Sequence, residues 1–159
     1  MKSNIRRFGS SDMAAVVELS LLAWEPVFAA WEQILGPTLY PIAIYADWRK
    51  SQKEAVEKAC SNERFSTWVA EVRENIVGFV TYELRGKRGE IHMLAVHPAH
   101  QNHGVGTGLN TFALEKMKEA GVKVVELGTG GDEGHAPARR SYEKAGFTGL
   151  PLVRYYKEL

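Results

Sequence analysis

The sequence predicts a single α/β (α+β) domain in which helices flank a mixed β-sheet, and three observations lead to this prediction. Two adjacent β-rich segments, residues 65–73 and 75–84, are typical of a hairpin. A nearly all-apolar strand, residues 90–96, is followed by a glycine-rich segment and a helix. A second apolar strand, residues 122–127, follows that helix, and strand–helix–strand units of this length are parallel and right-handed in nearly every known case.

The N-terminal third is predicted to be mainly helical. Residues 4–8 (NIRRF) form a short first strand, and Ser10 or Ser11 then supplies a helix N-cap. The apolar residues of the first helix recur at helical spacing, at Ala14, Val17, Leu21 and Trp24.

Proline is expected to divide this helical region. Pro26 should end the first helix near Glu25, because proline lacks the backbone donor and its ring clashes with the preceding turn. A second helix then covers about 27–35, and a third covers about 47–60.

The middle of the chain is predicted to form the centre of the sheet. Glu74 and Asn75 lie between the two β-rich segments and form the predicted hairpin turn. Residues 90–96 (EIHMLAV) are apolar on both faces, as in a central strand that is covered on both sides.

The second half is predicted to contain two helices separated by a buried strand. The first helix runs from Gly104 to Ala120, with Gly121 as its left-handed stop, and residues 122–127 form the strand that follows it. A short helix at about 136–145 is stopped by Gly146, and the end of the chain, PLVRYYKEL, is β-like.

Composition and charge exclude several functional classes. The length of 159 residues fits one domain, residues 1–159. With 20 Lys and Arg against 19 Asp and Glu, the formal charge of +1 gives no electrostatic case for a nucleic-acid partner. Charged residues interrupt the N-terminal region, so no membrane or signal segment is predicted and the cytoplasm is the expected compartment; they are Arg6, Arg7, Asp12 and Glu18.

No metal site is predicted. Cys60 is the only cysteine, which excludes an internal disulfide and a multi-thiolate site. His97, His100 and His103 are spaced by three along a loop, but no carboxylate or thiolate accompanies them.

The glycine-rich segment HPAHQNHGVGTGLN, residues 97–110, stands where a helix begins, and helix N-termini bind anions. Two common phosphate-binding patterns do not fit the chain. A P-loop needs Gly-Lys followed by Ser or Thr, but the only Gly-Lys pair is followed by Arg88. A dinucleotide fingerprint that began at Gly104 would need a third glycine where Leu109 stands.

A third pattern, Q-x-x-G-x-G, is met from Gln101 to Gly106, directly after an apolar strand. In this respect the sequence resembles the GNAT superfamily of N-acetyltransferases, whose pyrophosphate loop has this pattern. The resemblance continues in ELGTGGDEGHAPARRSYEKAGF and covers about 75–150. In that segment Ala138, Tyr142, Gly146 and Phe147 have the family spacing, and His135 stands where the family commonly has Asn.

The resemblance implies a site for acetyl-coenzyme A, used as a co-substrate without a metal. Backbone amides of 102–107 and the Thr107 hydroxyl would hold the pyrophosphate. The pantetheine arm would lie between two central parallel strands that splay apart, bonded to main-chain groups near Leu94 and Val96. The implied cofactor-binding residues are Leu94, Ala95, Val96, Gln101, Asn102, His103, Gly104, Val105, Gly106, Thr107, His135, Ala138 and Tyr142. The alternative for the glycines is close packing of helix against strand.

The resemblance also implies direct attack by an amine on the thioester. A lysine-like amine, with a pKa near 10.4, is mostly protonated at neutral pH, so a base must take its proton. Glu90 stands where some family members carry a glutamate base, and His92 shares its strand face by the period of two. A water chain is the alternative to both. Tyr142 is the expected general acid toward the leaving thiolate, with a core aromatic residue as the alternative.

The acceptor is expected to be a primary amine on a small molecule, an amino-acid derivative, an antibiotic-like compound or a protein. The expected acceptor-site residues are Trp24, Phe28, Trp31, Tyr82 and Tyr155, which lie in segments that build this pocket in the family. Aromatic residues at such spacings are also common in cores. Assembly as a homodimer is an open alternative. The competing functions are a non-catalytic acyl-coenzyme A sensor and an interaction module.

Overall fold

The computed structural model describes residues 3–159, and its centre is a five-stranded mixed sheet. The strands lie in chain order, so each pairs with the next one along the sequence. The first four are antiparallel to one another, whereas the last pair is parallel. They are β1 (Asn4–Arg7), β2 (Phe65–Val72), β3 (Asn75–Arg85), β4 (Arg88–Val96) and β5 (Val124–Glu126). The predicted mixed sheet is confirmed.

Four helices cover the two faces of the sheet. They are α1 (Met13–Ala43), α2 (Trp48–Ser61), α3 (Val105–Glu119) and α4 (Ala136–Lys144). On one face, α3 buries Val105, Leu109, Ala113 and Met117 against β3 and β4. The opposite face carries α1 and α2, whose buried residues pack on β2, β3 and β4. Both faces of the central strands are therefore out of water, as their apolar composition predicts.

Pro26 does not end the first helix, which corrects the prediction of a break near Glu25. The helical assignment runs on from Met13, and its first non-helical residue is Gly36, with a φ of 74°. The predicted second helix at 27–35 is the continuation of the first one. Burial of Val27 and Phe28 directly after the proline favours the continuous helix, and packing of this kind offsets the roughly 3 kcal/mol cost of an interior proline.

The stretch from Ser10 to Ala43 also meets the length and composition criteria of a membrane span, with a mean hydropathy of 1.5 in its most apolar window. The prediction of no membrane or signal segment rested on the charged residues up to Glu18, and it stays a prediction. Core helices pass the same test, and this one packs Val16 and Leu19 against the sheet. Of that window, 28% is buried.

The hairpin between β2 and β3 turns one residue earlier than predicted. Arg73 and Glu74 form the turn, with φ values of 49° and 65°, and Asn75 already belongs to β3. Two consecutive residues with positive φ give the turn a twist that matches the twist of the strands. Between β3 and β4 the register shifts after Thr81, which leaves His92 without an opposite residue in the ladder. His92 therefore occupies a β-bulge.

The last strand is shorter and more exposed than predicted. Only Val124–Glu126 pair with β4, and Val124 is 58% exposed, so the expected buried strand at 122–127 is an edge strand. The expected C-terminal strand is also wrong, because residues 148–159 have no regular secondary structure. A strand needs a neighbour for its backbone hydrogen bonds, and the described residues supply none for this segment.

A charged cluster fixes the start of α1 to the sheet. The Arg6 guanidinium on β1 donates to both carboxylate oxygens of Asp12, at 2.8 and 2.9 Å, and to Glu71 on β2 at 2.8 Å. The Asp12 carboxylate also accepts the backbone N–H of Gly9 at 2.7 Å. The hydrogen bonds from Arg6, supported by that of Gly9, outweigh the effect of burial and lower the pKa of Asp12.

We predict that Asp12→Asn destabilises the protein by about 1–3 kcal/mol at neutral pH, because hydrogen bonds to an ionised buried group are lost. Since the pKa of Asp12 is lower in the folded state than its ordinary 3.8, this stabilisation is complete above that pH and is lost as the pH falls through the folded value. Chemical denaturation of both proteins at pH 7 and pH 3 measures the difference.

The control for this experiment is Glu25→Gln, which removes the exposed ion pair between Glu25 and Arg49. It should change the stability by less than about 1 kcal/mol, because exposed pairs contribute little. Equal effects of the two variants would contradict the anchoring role of Asp12.

Candidate functional site

A gap opens between β4 and β5. The parallel ladder pairs Arg88 with Val124, Gly89 with Val125 and Glu90 with Glu126, and it ends there. β4 runs six residues further, to Val96, along β3 only. One edge of the second half of β4 therefore carries backbone groups without a strand partner among the described residues.

The ladder on the other side shows which backbone groups face the gap. His97 donates its backbone N–H to the carbonyl of Val77 at 2.8 Å, so His97 faces β3. In an antiparallel ladder the hydrogen-bonding direction alternates, and Leu94 and Val96 consequently face the gap. The side chain of Gln101 lies on this edge and donates to the Val96 carbonyl at 3.0 Å.

The glycine-rich segment connects this edge to the N-terminus of α3. Asn102 and Gly104 both have positive φ, 62° and 84°, and turn the chain into the helix. The first helical hydrogen bond is donated by Gly108 to Gly104, so the three N–H groups before Gly108 have no intrahelical acceptor. They belong to Val105, Gly106 and Thr107, at the positive end of the helix dipole.

The two motif glycines have different surroundings. A β-carbon on Gly104 would meet no atom within 4 Å, whereas one on Gly106 would lie 3.4 Å from the Val96 side chain. Gly106 thus lies close to β4, as expected if this glycine serves the close packing of helix against strand. Gly104, in contrast, leaves open space at the helix N-terminus. The exposed side chains of Asn102 and His103 lie on the same loop.

A groove of about 470 Å³ lies between α3 and α4 and begins at Thr107. Lys118 and Lys144 line it, and so does Asn110, whose Oδ1 is buried without a hydrogen-bond partner. The lining also includes Leu114, Glu115 and Ala145, so the groove combines apolar surface with side chains of both charges.

Tyr142 lies on α4 and packs edge to face against Phe147, with ring centroids 5.8 Å apart. Phe147 in turn contacts the core beneath α3. Burial raises the pKa of Tyr142, which keeps its hydroxyl protonated at neutral pH. Ala138 precedes it by one helical turn, on the same side of α4.

His135 stands directly before α4 and is held by a residue that the sequence prediction missed. Its Nδ1 lies 2.7 Å from Oδ1 of Asp132, and the same oxygen accepts the indole N–H of Trp31 at 3.0 Å. The spacing D-x-x-H before a helix was the available signal, because Asp at such a position caps a turn. Asp132 is also the N-cap of the short turn that leads into α4.

The predicted acceptor residues divide into two groups. Phe28 and Trp31 come together in an aromatic cluster, in which Phe28 contacts Trp31 at 5.3 Å, Tyr45 at 6.4 Å and Trp48 at 4.5 Å between ring centroids. Tyr45 and Trp48 were missed, since no periodic pattern marks them. The other predicted residues lie elsewhere: Trp24 packs on the core between α1 and the sheet, Tyr82 is buried beneath α3, and Tyr155 is 90% exposed in the C-terminal segment.

Glu90 and His92 are close to one another on the sheet, and both have partners. The Arg85 guanidinium lies 3.2 Å from the Glu90 carboxylate and also binds Glu83. The His92 ring stacks on Phe65, with centroids 4.6 Å apart. Because Phe65, Glu83 and Glu90 occupy opposed positions on neighbouring strands, His92 lies on their face, as predicted.

Other candidates have structural surroundings. Burial raises the pKa of the Cys60 thiol to about 11, so the thiolate that a nucleophile needs is scarce at neutral pH. His97 accepts the backbone N–H of Ala99 at 3.1 Å and thereby caps the turn after β4. Ala95 points its side chain into the core under α1.

Curated relatives match one segment of the chain. Mycothiol acetyltransferase of Sanguibacter keddieii is 47% identical over 60 residues, which are 38% of this chain and 18% of that protein. The chain thus matches less than a quarter of the length of this relative.

Solved structures match the whole fold. The PaiA N-acetyltransferase of Thermoplasma acidophilum, solved with coenzyme A, has a TM-score of 0.69 at 18% identity and covers 93% of this chain and 91% of its own. A ribosomal-protein alanine N-acetyltransferase of Escherichia coli has a TM-score of 0.69 at 17% identity, with 94% and 80% covered. The model of the acetyltransferase (GNAT) family matches residues 25–147. With this match over most of its length, the chain belongs to the GNAT family of acetyltransferases.

Proposed function

We propose that this acetyltransferase moves the acetyl group of acetyl-coenzyme A to a primary amine. The observation that carries the proposal is the gap beside β4, which presents the backbone of Leu94 and Val96 next to the unpaired N–H groups of α3. A strand-like arm with an anionic end fits such a surface, because it can complete the ladder with one end and bind the helix N-terminus with the other.

The residues present fit the cofactor. Gly104 leaves the space in front of the α3 N-terminus open, and Val105, Gly106 and Thr107 supply N–H donors for a pyrophosphate. The groove between α3 and α4 begins at this point, and its Lys118 and Lys144 would accompany the phosphorylated nucleoside. When bound, acetyl-coenzyme A supplies an activated acetyl group as a thioester.

Tyr142 is the proposed general acid. In the reaction a bond forms between the acceptor nitrogen and the acetyl carbon, the carbon–sulfur bond breaks, and the nitrogen loses a proton while the sulfur gains one. The Tyr142 hydroxyl holds a proton at neutral pH, because burial raises its pKa, and can donate it to the departing sulfur.

The aromatic cluster of Phe28, Trp31, Tyr45 and Trp48 is the proposed acceptor wall. Phe28 and Trp31 lie on α1, which also contacts the turns after β4 and β5, and Trp48 begins α2. Tyr45, in the connection between the two helices, is 49% exposed, so part of the cluster is open to a ligand. Such a surface favours an amine with an apolar or aromatic body, and its rings can also bind the charged amine as a cation.

The direct test is release of free thiol from acetyl-coenzyme A by the purified protein with a panel of amines of different body size. Turnover with amines that carry an aromatic or apolar body supports the proposal. Binding of coenzyme A without turnover of any amine or peptide would instead support the acyl-coenzyme A sensor.

We predict that Gly104→Val weakens coenzyme A binding at least tenfold, because a side chain would fill the open space in front of the helix N-terminus. Dephosphorylated pantetheine should lose much less affinity. Isothermal titration calorimetry with both ligands measures the two effects.

Gly121→Val is the matched control. Gly121 has a φ of 85°, against 84° for Gly104, and a β-carbon there also meets no atom within 4 Å. The two variants therefore carry the same backbone strain, but Gly121 lies at the opposite end of α3. A similar loss of coenzyme A binding in both would mean that strain, rather than the occupied space, causes the effect.

We predict that Tyr142→Phe lowers kcat about tenfold or more while coenzyme A affinity stays within a few-fold, because only the donor hydroxyl is removed. Steady-state thiol release and calorimetry separate the two effects. Tyr155→Phe removes an exposed hydroxyl and should leave both unchanged. Wild-type turnover in the Tyr142 variant, with good and poor amines alike, would make Tyr142 a core aromatic residue.

A further inference from the structure

We propose that His135, oriented by Asp132, is the base that takes the proton from the acceptor amine. This inference rests on the proposed acetyl transfer. It assigns the base to His135, whereas the sequence left the choice open among Glu90, His92 and a water chain. The sequence alone placed His135 only beside the cofactor, where it replaces the asparagine common in the family.

The hydrogen bonds around Asp132 orient the imidazole. Nδ1 of His135 lies 2.7 Å from Asp132 Oδ1, and the backbone N–H of His135 also donates to the Asp132 carboxylate at 3.3 Å. Trp31 donates to the same Oδ1 from α1. Both side chains are largely shielded, with exposed fractions of 6% for Asp132 and 14% for His135.

This arrangement leaves Nε2 as the basic nitrogen. A carboxylate can only accept, so Nδ1 carries the shared hydrogen and the lone pair is on Nε2. Nε2 makes no hydrogen bond to the described residues, and it is not among the fully buried polar atoms without a partner. It is therefore accessible from outside.

Asp132 stays ionised in this setting. Burial alone would raise the pKa of Asp132, but the hydrogen bonds from His135 and Trp31 outweigh burial and lower it. A carboxylate fixed at this distance holds the imidazole in one orientation and one tautomer, with the lone pair on Nε2.

The loop is built around this pair. A β-carbon on Gly130 would lie 2.3 Å from Asp132 Oδ1 and 2.4 Å from His135 Nδ1, so any side chain there would displace the pair. Arg139 on α4 holds the same loop by donating to the carbonyls of Gly130 and Asp132, at 2.6 and 2.7 Å. If the His135 side chain only filled space, the loop would need neither a glycine at position 130 nor the hydrogen bonds from Arg139.

The position of the pair agrees with a role at the reacting nitrogen. The loop leaves the carboxyl end of β5, at the same sheet edge as the turn that follows β4, and both turns pack on α1. The His135 ring lies 5.6 Å from the Trp31 ring of the acceptor wall. Tyr142 follows two helical turns later on the same side of α4. His135 thus lies between the acceptor wall and the proposed acid.

The proton balance closes with these groups. The neutral amine bonds its nitrogen to the acetyl carbon and passes one proton to His135 Nε2, whereas an amine that arrives as a cation first loses one further proton to solvent. The sulfur leaves with the proton of Tyr142. The Tyr142 hydroxyl is then restored by the proton from His135, carried by solvent, so that no further reactant is needed.

The test is a comparison of His135→Gln and His135→Ala with Glu90→Gln and His92→Gln. We expect the His135 variants to lose at least about 100-fold in kcat, as is usual for removal of a general base, with coenzyme A affinity within a few-fold. The Glu90 and His92 variants should lose less. Added imidazole should restore part of the activity of His135→Ala and should leave the activity of the wild type unchanged.

Asp132→Asn tests the positioning role. It should lower kcat about tenfold or more while the KM for acetyl-coenzyme A changes little, because the amide no longer fixes the tautomer and orientation of the imidazole. Thermal unfolding of each variant shows whether it folds. If the His135 variants do not fold, Gly130→Ala replaces them, because it displaces the pair. This variant should also lower kcat while the KM for acetyl-coenzyme A changes little.

The outcomes separate this inference from the proposed function. Suppose that the wild type acetylates amines. If His135→Gln then keeps the wild-type kcat, or if Glu90→Gln loses more kcat than His135→Gln, the assignment of His135 is overturned and acetyl transfer stands. If the wild type binds coenzyme A but turns over no amine, the proposed function fails. Loss of coenzyme A binding in His135→Gln, without rescue of His135→Ala by imidazole, would make His135 a cofactor contact.

Discussion

The parting of β4 from β5 after Glu90 is the constraint on which the rest of the site depends. Three ladder pairs hold the parallel strands together, and beyond them the second half of β4 is supported only by β3. Since α3 and α1 cover the two faces of the sheet, β4 cannot tilt so as to give the backbone groups on its unpaired edge other partners.

The same topology gathers the chemical groups at one sheet edge. Parallel strands place their carboxyl ends together, so the glycine-rich segment after β4 and the loop after β5 meet beside the gap. α1 contacts both turns, and its Trp31 donates to Asp132 across 101 positions of sequence. The path of α1 past Pro26 is needed for this contact, because a helix ending near Glu25 would not carry Trp31 to the loop.

The sequence predicted the parts of the site that are local. The pattern from Gln101 to Gly106 identified the loop, and the helix predicted from Gly104 to Ala120 differs from α3 by one residue at each end. These features depend on neighbours in sequence, through caps, turns and periodicity. The turn at Arg73 and Glu74 was misplaced by one residue because neither side chain favours a positive φ.

The aromatic cluster could not be predicted in this way, whereas the spacing D-x-x-H was a local signal for the Asp132–His135 pair. Phe28, Trp48 and Trp31 meet because α2 folds back on α1, and a periodic pattern does not tell a core aromatic from one in a cleft.

By itself the sequence determined the central hairpin, the strand–helix–strand unit and the glycine-rich loop, since propensity, periodicity and capping act over a few residues. The tertiary structure alone decided that α1 continues through Pro26, that β5 is an exposed three-residue edge strand, and that residues 148–159 form no strand. It also decided that Trp31 of α1 donates to Asp132. These outcomes depend on contacts between residues far apart in the chain, whose energies are comparable to the local preferences that they override.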